Sequence, residues 1–208
     1  MKPTILFFLL LFSTQIVFGQ NLEELNERLT NQRFETQSKL LNYRFKGGSG
    51  EFERIFFEQV NYTEEARKNC IVGVVILTFT VSCDNNISDL KMRNPMHYGL
   101  NEELQKFIEA TEGRWNTCQD EKYTRFEIPV LFTLKGTETS ARGLLTLLGE
   151  SPGFACRSDQ YFMERFERYK RKGKVKKALE NLDQLIRRDP YNNTFYDLKR
   201  ELLEGETK

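Results

Sequence analysis

The run from Ile71 to Val81 constrains this chain more than any other stretch. On an extended backbone Ile71, Val75, Leu77, Phe79 and Val81 point to one side, and Val72, Val74, Ile76, Thr78 and Thr80 to the other. Apolar and β-branched residues on both faces read as the central strand of a small sheet, flanked on each side. Its neighbours follow in order. Cys83-Asp84-Asn85-Asn86 is a set of turn formers suited to a tight reversal, and Ile87 to Arg93 returns beside the central strand as a hairpin. Asn94-Pro95 stops that strand. Asn101 is placed to cap a helix whose Leu104, Phe107, Ile108 and Thr111 share an apolar side, and Trp115 reads as a core lid.

A third strand spans Phe126 to Lys135, with Phe126, Ile128, Val130, Phe132 and Leu134 facing inward. Pro129 lies in the other set. Proline gives no donor to a ladder, so this strand is expected at a sheet edge with Glu127, Leu131 and Thr133 offering outward backbone bonds beside Pro129. A right-handed connection that skips one position sets strand three antiparallel to the central strand, on the side away from strand two. The expected fold class is therefore α+β: a small antiparallel three-stranded sheet with helices on one face, followed by an α-helical tail.

The first residues point to export. Lys2 is followed by an apolar run from Ile5 to Phe12, then Ser13-Thr14-Gln15 and Ile16-Val17-Phe18-Gly19. Val17 and Gly19 fit the small-residue positions of a signal-peptide cleavage site, leaving Gln20 as the mature start of an exported chain. The alternative is a retained membrane anchor. Export changes how Cys70, Cys83, Cys118 and Cys156 are read, since disulfides persist in an oxidising compartment and four cysteines allow three pairings. Cys70 and Cys83 flank the central strand. Its ends are about 40 Å apart at roughly 3.3 Å per residue, beyond the ~7 Å reach of a bridge. The strand order brings Cys118 towards Cys83 and leaves Cys70 with Cys156.

The remaining segments divide the chain. Residues 1–19 form the signal peptide, and residues 20–46 a helical or partly ordered leader with leucines at loosely helical spacing. Residues 47–136 form the sheet domain. It opens on the flexible Gly47-Gly48-Ser49-Gly50 and on a short helix with Phe52, Ile55, Phe56 and Val60 on one face. Thr63 caps a further turn, Glu64 to Asn69. Residues 137–158 read as a linker with a short apolar helical turn at Leu144 to Leu148, bounded by Ser151-Pro152-Gly153. Residues 159–208 are helical and charged.

Two segments resemble known families. EFERIFFEQV, NYTEEARKNCIVGVVILTFTVSCDNNISDLKM, Trp115 and FEIPVLFTLKG together resemble the carboxy-terminal domain of TonB-type energy transducers, over Gly47 to Gly136. Family members often carry Tyr-Pro where this chain has Tyr62-Thr63, and Gly where it has Cys70. The resemblance implies a periplasmic domain that grips a peptide of an outer-membrane TonB-dependent receptor, or of another envelope protein, by strand addition at the third strand. The tail YKRKGKVKKALENLDQLIRRDPYNN resembles a tetratricopeptide unit, with Tyr169, Gly173, Ala178, Leu182 and Pro190 at the motif's positions.

Chemistry is sparse beside this. His97 is the only histidine, the cysteines are not in C-x-x-C spacing, and no phosphate-cradling glycine motif follows a strand. A non-enzymatic protein without cofactor or metal is expected. With 31 basic and 30 acidic residues the net charge is +1, so no global field directs the chain to nucleic acid. The basic residues from Lys170 to Lys177 and Arg187-Arg188 read as a solvated helix face. The sequence thus favours a transport-linked binding module. Its alternatives are a membrane-anchored energy transducer for TonB-dependent transport and a scaffold acting through its helical tail. An exposed edge strand also allows a homodimer.

Overall fold

A computed structural model describes the backbone of residues 4–206 and the side chains of residues 24–205. The signal-peptide reading, with cleavage before Gln20, lies outside the described side chains. The order of elements is α1 (Thr4–Arg44), α2 (Gly48–Gln59), α3 (Glu64–Lys68), β1 (Gly73–Val81), β2 (Ile87–Arg93), α4 (Leu100–Glu109), β3 (Arg125–Leu134), β4 (Leu145–Gly149), α5 (Asp159–Arg171), α6 (Val175–Arg188) and α7 (Asn193–Glu206).

The fold is α+β, and β1 is an inner strand as its two-sided composition requires. It pairs antiparallel with β2 on one side and β3 on the other. The expectation of three strands is corrected: the sheet has four, in the order β2-β1-β3-β4, and β4 runs parallel to β3. The residues read as a linker turn, Leu144 to Leu148, supply that fourth strand. A run of about five apolar residues has no periodicity that separates a helical turn from a buried strand. The segment between β3 and β4 returns along the sheet without a helix and inserts Ala141 into its second face.

Helices cover both faces rather than one. On the first, Val75, Leu77, Phe79 and Val81 of β1 meet Phe126, Ile128, Val130 and Phe132 of β3. Phe52, Ile55 and Phe56 of α2 and Leu104, Phe107 and Ile108 of α4 close over them. Trp115 is buried in this layer, tilted against Phe126 with ring centroids 4.8 Å apart, and its Nε1 donates to Thr111 Oγ1 at 3.3 Å. Asn101 does not cap α4. Gly99 occupies the cap position, and Asn101 Oδ1 accepts the Met96 N–H at 3.0 Å. On the second face Val74, Ile76, Leu131 and Ala141 form a smaller core capped by Tyr191.

The tail docks on that second face. Its helices share a core of Phe162, Phe166, Ala178, Leu182, Leu185, Phe195 and Leu202, and the end of α6 comes down on β1 at Gly73. There φ is +150°, and a Cβ would stand 2.7 Å from the Arg187 carbonyl oxygen. Asn94 Nδ2 donates to that same carbonyl at 2.6 Å. Arg188, read as part of a solvated face, is instead buried. It donates to Asp159 Oδ1 at 2.7 Å and to the Arg157 carbonyl at 2.7 Å, so it ties α6 to the start of α5.

The leader is likewise part of the fold. Leu41 and Phe45 are core residues, and Arg44 between them is fully buried without a carboxylate. Its Nε donates to the Asn116 carbonyl at 2.9 Å, Nη1 to Tyr123 at 2.7 Å and Val81 at 3.3 Å, and Nη2 to Ser82 at 2.9 Å. Burial lowers the guanidinium's pKa from its ordinary value, but an arginine keeps its charge in a protein. Beside it the Cys83–Cys118 bridge closes the same end of the sheet, with Cα atoms 4.5 Å apart, and Cys70–Cys156 closes the other. With sequence separations of 35 and 86, the chain-entropy relation gives the bridges about 4 and about 4 to 5 kcal/mol against the unfolded chain.

Two predictions follow from this frame. Arg44→Leu is expected to cost about 3 to 5 kcal/mol in urea unfolding, because it removes the one charged donor that the carbonyls of Val81, Ser82, Asn116 and Tyr123 share at this end of the sheet. Arg44→Lys should recover less than half of that, since an ammonium cannot reach four acceptors arranged around a planar fork. The second concerns Glu103, a nearly buried carboxylate that accepts the Asn61 N–H at 2.9 Å and Lys106 Nζ at 2.8 Å. Burial opposes its charge, but the Lys106 and Asn61 bonds outweigh burial and hold its pKa below the ordinary 4.5. Its contribution to stability is therefore complete above that value and lost as pH falls through the lowered folded pKa. Glu103→Gln should flatten the decline in stability between about pH 5 and about pH 3, read by urea titrations across that range.

Candidate functional site

The four residues that the sequence assigns to an exposed edge do share one row of β3, with their backbone groups turned away from β1. Glu127 shows the direction: its N–H is taken by Gln37 Oε1 of α1 at 3.1 Å. Backbone direction alternates along a strand, so Pro129, Leu131 and Thr133 face the same way. Their outward groups are already engaged. The Pro129 carbonyl accepts the Leu144 N–H at 2.8 Å, and Leu131 and Thr133 sit in register with Thr146 and Leu148 of β4. The exposed edge expected at the third strand is thus corrected. The first half of the row is covered by α1 and the second by β4. Pro129 tells which way its missing N–H points, and it cannot tell whether another segment of the chain fills the space beyond.

The side chains of the four residues serve the second face. Leu131 is buried between Val74 and Ile76 of β1 and Ala141. Glu127 gathers a polar cluster from three elements. Its Oε1 accepts Tyr191 OH at 2.7 Å, its Oε2 accepts Arg93 Nη2 at 2.6 Å, and Arg33 lies 3.7 Å from Oε1 while its guanidinium carbon stacks 3.8 Å from the Tyr191 ring centre. Burial raises the Tyr191 pKa, and the bond to Glu127 raises it further, so the phenol stays protonated and keeps donating. This cluster joins β2, β3, α1 and the tail. It holds the architecture together and presents no reacting group.

The free backbone of the sheet lies at its two ends. Along β2 the outer row is interrupted. One extra residue is inserted between the Thr78 and Thr80 pairs, Asp89 takes φ +54°, and Ser88, Asp89, Lys91 and Arg93 are exposed. A bulge and charges of this kind blunt an edge against pairing. The β4 edge has neither. Leu145 and Leu147 turn into the main core, and Gly149 lies under the Tyr62 ring, where a Cβ would stand 2.6 Å from a ring carbon. The Lys135 N–H donates to the Gly149 carbonyl at 2.9 Å. That fixes Leu145, Leu147 and Gly149 as the residues bonding to β3 and leaves Thr146 and Leu148 with backbone groups turned outward. Leu148 is 62% exposed. Sequence reasoning missed this edge, and the apolar run Leu144 to Leu148 was the signal that carried it.

The consequence for β3 is direct. Leu131→Pro removes an N–H engaged by β4 and distorts a buried strand, so it is expected to unfold the sheet domain, read by loss of the cooperative thermal transition. Leu131→Ala should leave a folded protein destabilised by about 2 to 3 kcal/mol.

Compared with known proteins, the chain matches no family model, no curated protein and no solved structure.

Proposed function

We propose that this is an exported protein-binding module that captures an extended segment of an envelope protein by strand addition, at β4. The observation that carries the reading is the β4 edge: a regular, uncharged strand at the end of the sheet, with the backbone of Thr146 and Leu148 turned outward and an exposed leucine beside it. A peptide docking there gains main-chain bonds that any sequence supplies, and Leu148 adds an apolar contact that selects among them.

Two disulfides favour an oxidising, exported environment. Among the described residues no helix is long and apolar enough to cross a membrane. The resemblance of residues 47–136 to TonB-type domains supports a periplasmic location and an outer-membrane receptor as the partner. The succession of β1, β2, α4 and β3 agrees with the elements read from those residues. In this reading the partner's strand becomes the fifth of the sheet, since β4 holds the place beside β3.

The test uses Leu148→Pro in the mature chain. Its N–H faces outward, so the substitution removes one docking donor while the β3 ladder stays intact. Isothermal titration against receptor-derived peptides is expected to show binding to the parent chain and at least a tenfold loss in the variant, with the melting temperature lowered by no more than a few degrees. Equal affinity in the two proteins would remove β4 as the site. Sedimentation of the parent chain alone would show whether the edge takes a second copy instead.

A further inference from the structure

Where the tail folds back over the end of the sheet it leaves a cleft of about 1020 Å³. Residues 68–72 form one wall, α6 the opposite one, and the connector 154–157 closes a side, pinned to the first wall by the Cys70–Cys156 bridge. No residue of β4 lines it. Five cations, Lys68, Arg157, Arg165, Arg187 and Arg188, face a single carboxylate, Glu180, in a chain whose net charge is only +1.

Two of the five are neutralised in place, Arg188 by Asp159 at 2.7 Å and Lys68 by Glu64 at 2.5 Å. Arg157, Arg165 and Arg187 have no carboxylate partner among the described residues. Arg165 is nonetheless held still: it donates to Asn181 Oδ1 at 3.2 Å, to Tyr161 OH at 3.2 Å and to Tyr169 OH at 2.9 Å. Arg157 lies 5.0 Å from the centre of the Tyr161 ring. Arg187 starts from backbone fixed to the sheet by the bond its carbonyl accepts from Asn94. Three guanidiniums without a carboxylate partner, one of them fixed by hydrogen bonds, line a concave wall, focus a positive field into the cleft and suit carboxylates. The volume is at the upper end of small-ligand sites, roughly 300 to 1,000 Å³, so a lone inorganic anion would leave most of it empty. Phe154, which is 55% exposed, and Met96 add apolar contact between the charges.

We propose that this cleft binds an extended acidic peptide segment of a protein partner. Its carboxylates lie on Arg157, Arg165 and Arg187, and its apolar side chains lie on Phe154 and Met96. The site is separate from the β4 edge and does not rest on it. The experiment is fluorescence anisotropy of a labelled peptide of alternating aspartate and leucine, titrated with the full mature chain. Saturable one-to-one binding is expected, weakening as salt shortens the screening length. Arg157→Gln with Arg187→Gln should weaken it about tenfold. Both side chains are exposed, so an unchanged thermal transition is the folding control. Arg157→Lys with Arg187→Lys should keep more of the affinity, and Leu148→Pro all of it. The proposal is overturned by equal binding of the same peptide with asparagine for aspartate, or by unchanged affinity in the glutamine pair. It is equally overturned if phosphate or vesicles of anionic phospholipid bind through these arginines while the peptide does not.

Discussion

A single buried guanidinium sets the condition on which the sheet domain rests. Arg44 ends α1 inside the core, and its donors are spent on carbonyls at the end of β1, in the following turn and in the loop that leads to β3. Val81 is the last residue of its strand, and Ser82, Asn116 and Tyr123 lie outside the ladder. A charged donor supplies them all at once and with stronger bonds than a neutral one. The arrangement explains why α1 enters the domain at a fixed depth and why Phe45 reaches Trp115 with ring centroids 4.9 Å apart. It also explains why the nearby cysteines meet: the loop that carries Cys118 is already held to the end of β1, where Cys83 lies.

Much of this could be read from the chain. The two-sided composition of residues 71–81 marks an inner strand, the turn residues after Cys83 mark a hairpin, and the alternation through residues 126–134 marks the inward row of β3. The strand order then constrains the cysteines, because only one combination of partners lies at matching ends of the sheet. Three things were not legible. Leu144 to Leu148 is too short for periodicity to decide between turn and strand. Arg44 looks like any polar residue in a helix, since nothing local distinguishes a buried guanidinium from a solvated one. Arg188 sits in a basic run that a helical projection places on a surface, and only the packing of α5 across it takes it out of water. The proposed binding surfaces share this origin. The β4 edge and the cleft beneath the tail are products of tertiary placement, and neither has a local motif.

The two faces of the sheet are held by different chemistry. The first is a continuous aromatic and aliphatic layer. The second is small and apolar at its centre, and it is secured around its rim by polar contacts: Glu127 with Tyr191, Arg33 and Arg93 on one side, and Arg188 with Asp159 on the other. Polar contacts of this kind demand more specific geometry than an apolar layer does, and they fix the position of the tail over β1.

The Cys70–Cys156 bridge also decides how the protein carries mechanical load. Along the chain, a pull on the tail would travel back through the connector to β4, and a short parallel strand at the rim of a sheet would peel. The bridge offers a shorter covalent route, from Cys156 across to Cys70 and on through α3 toward the leader. All four strands lie between the two cysteines in the chain, so tension between the tail and the leader passes around the sheet and leaves β4 slack between its own ends.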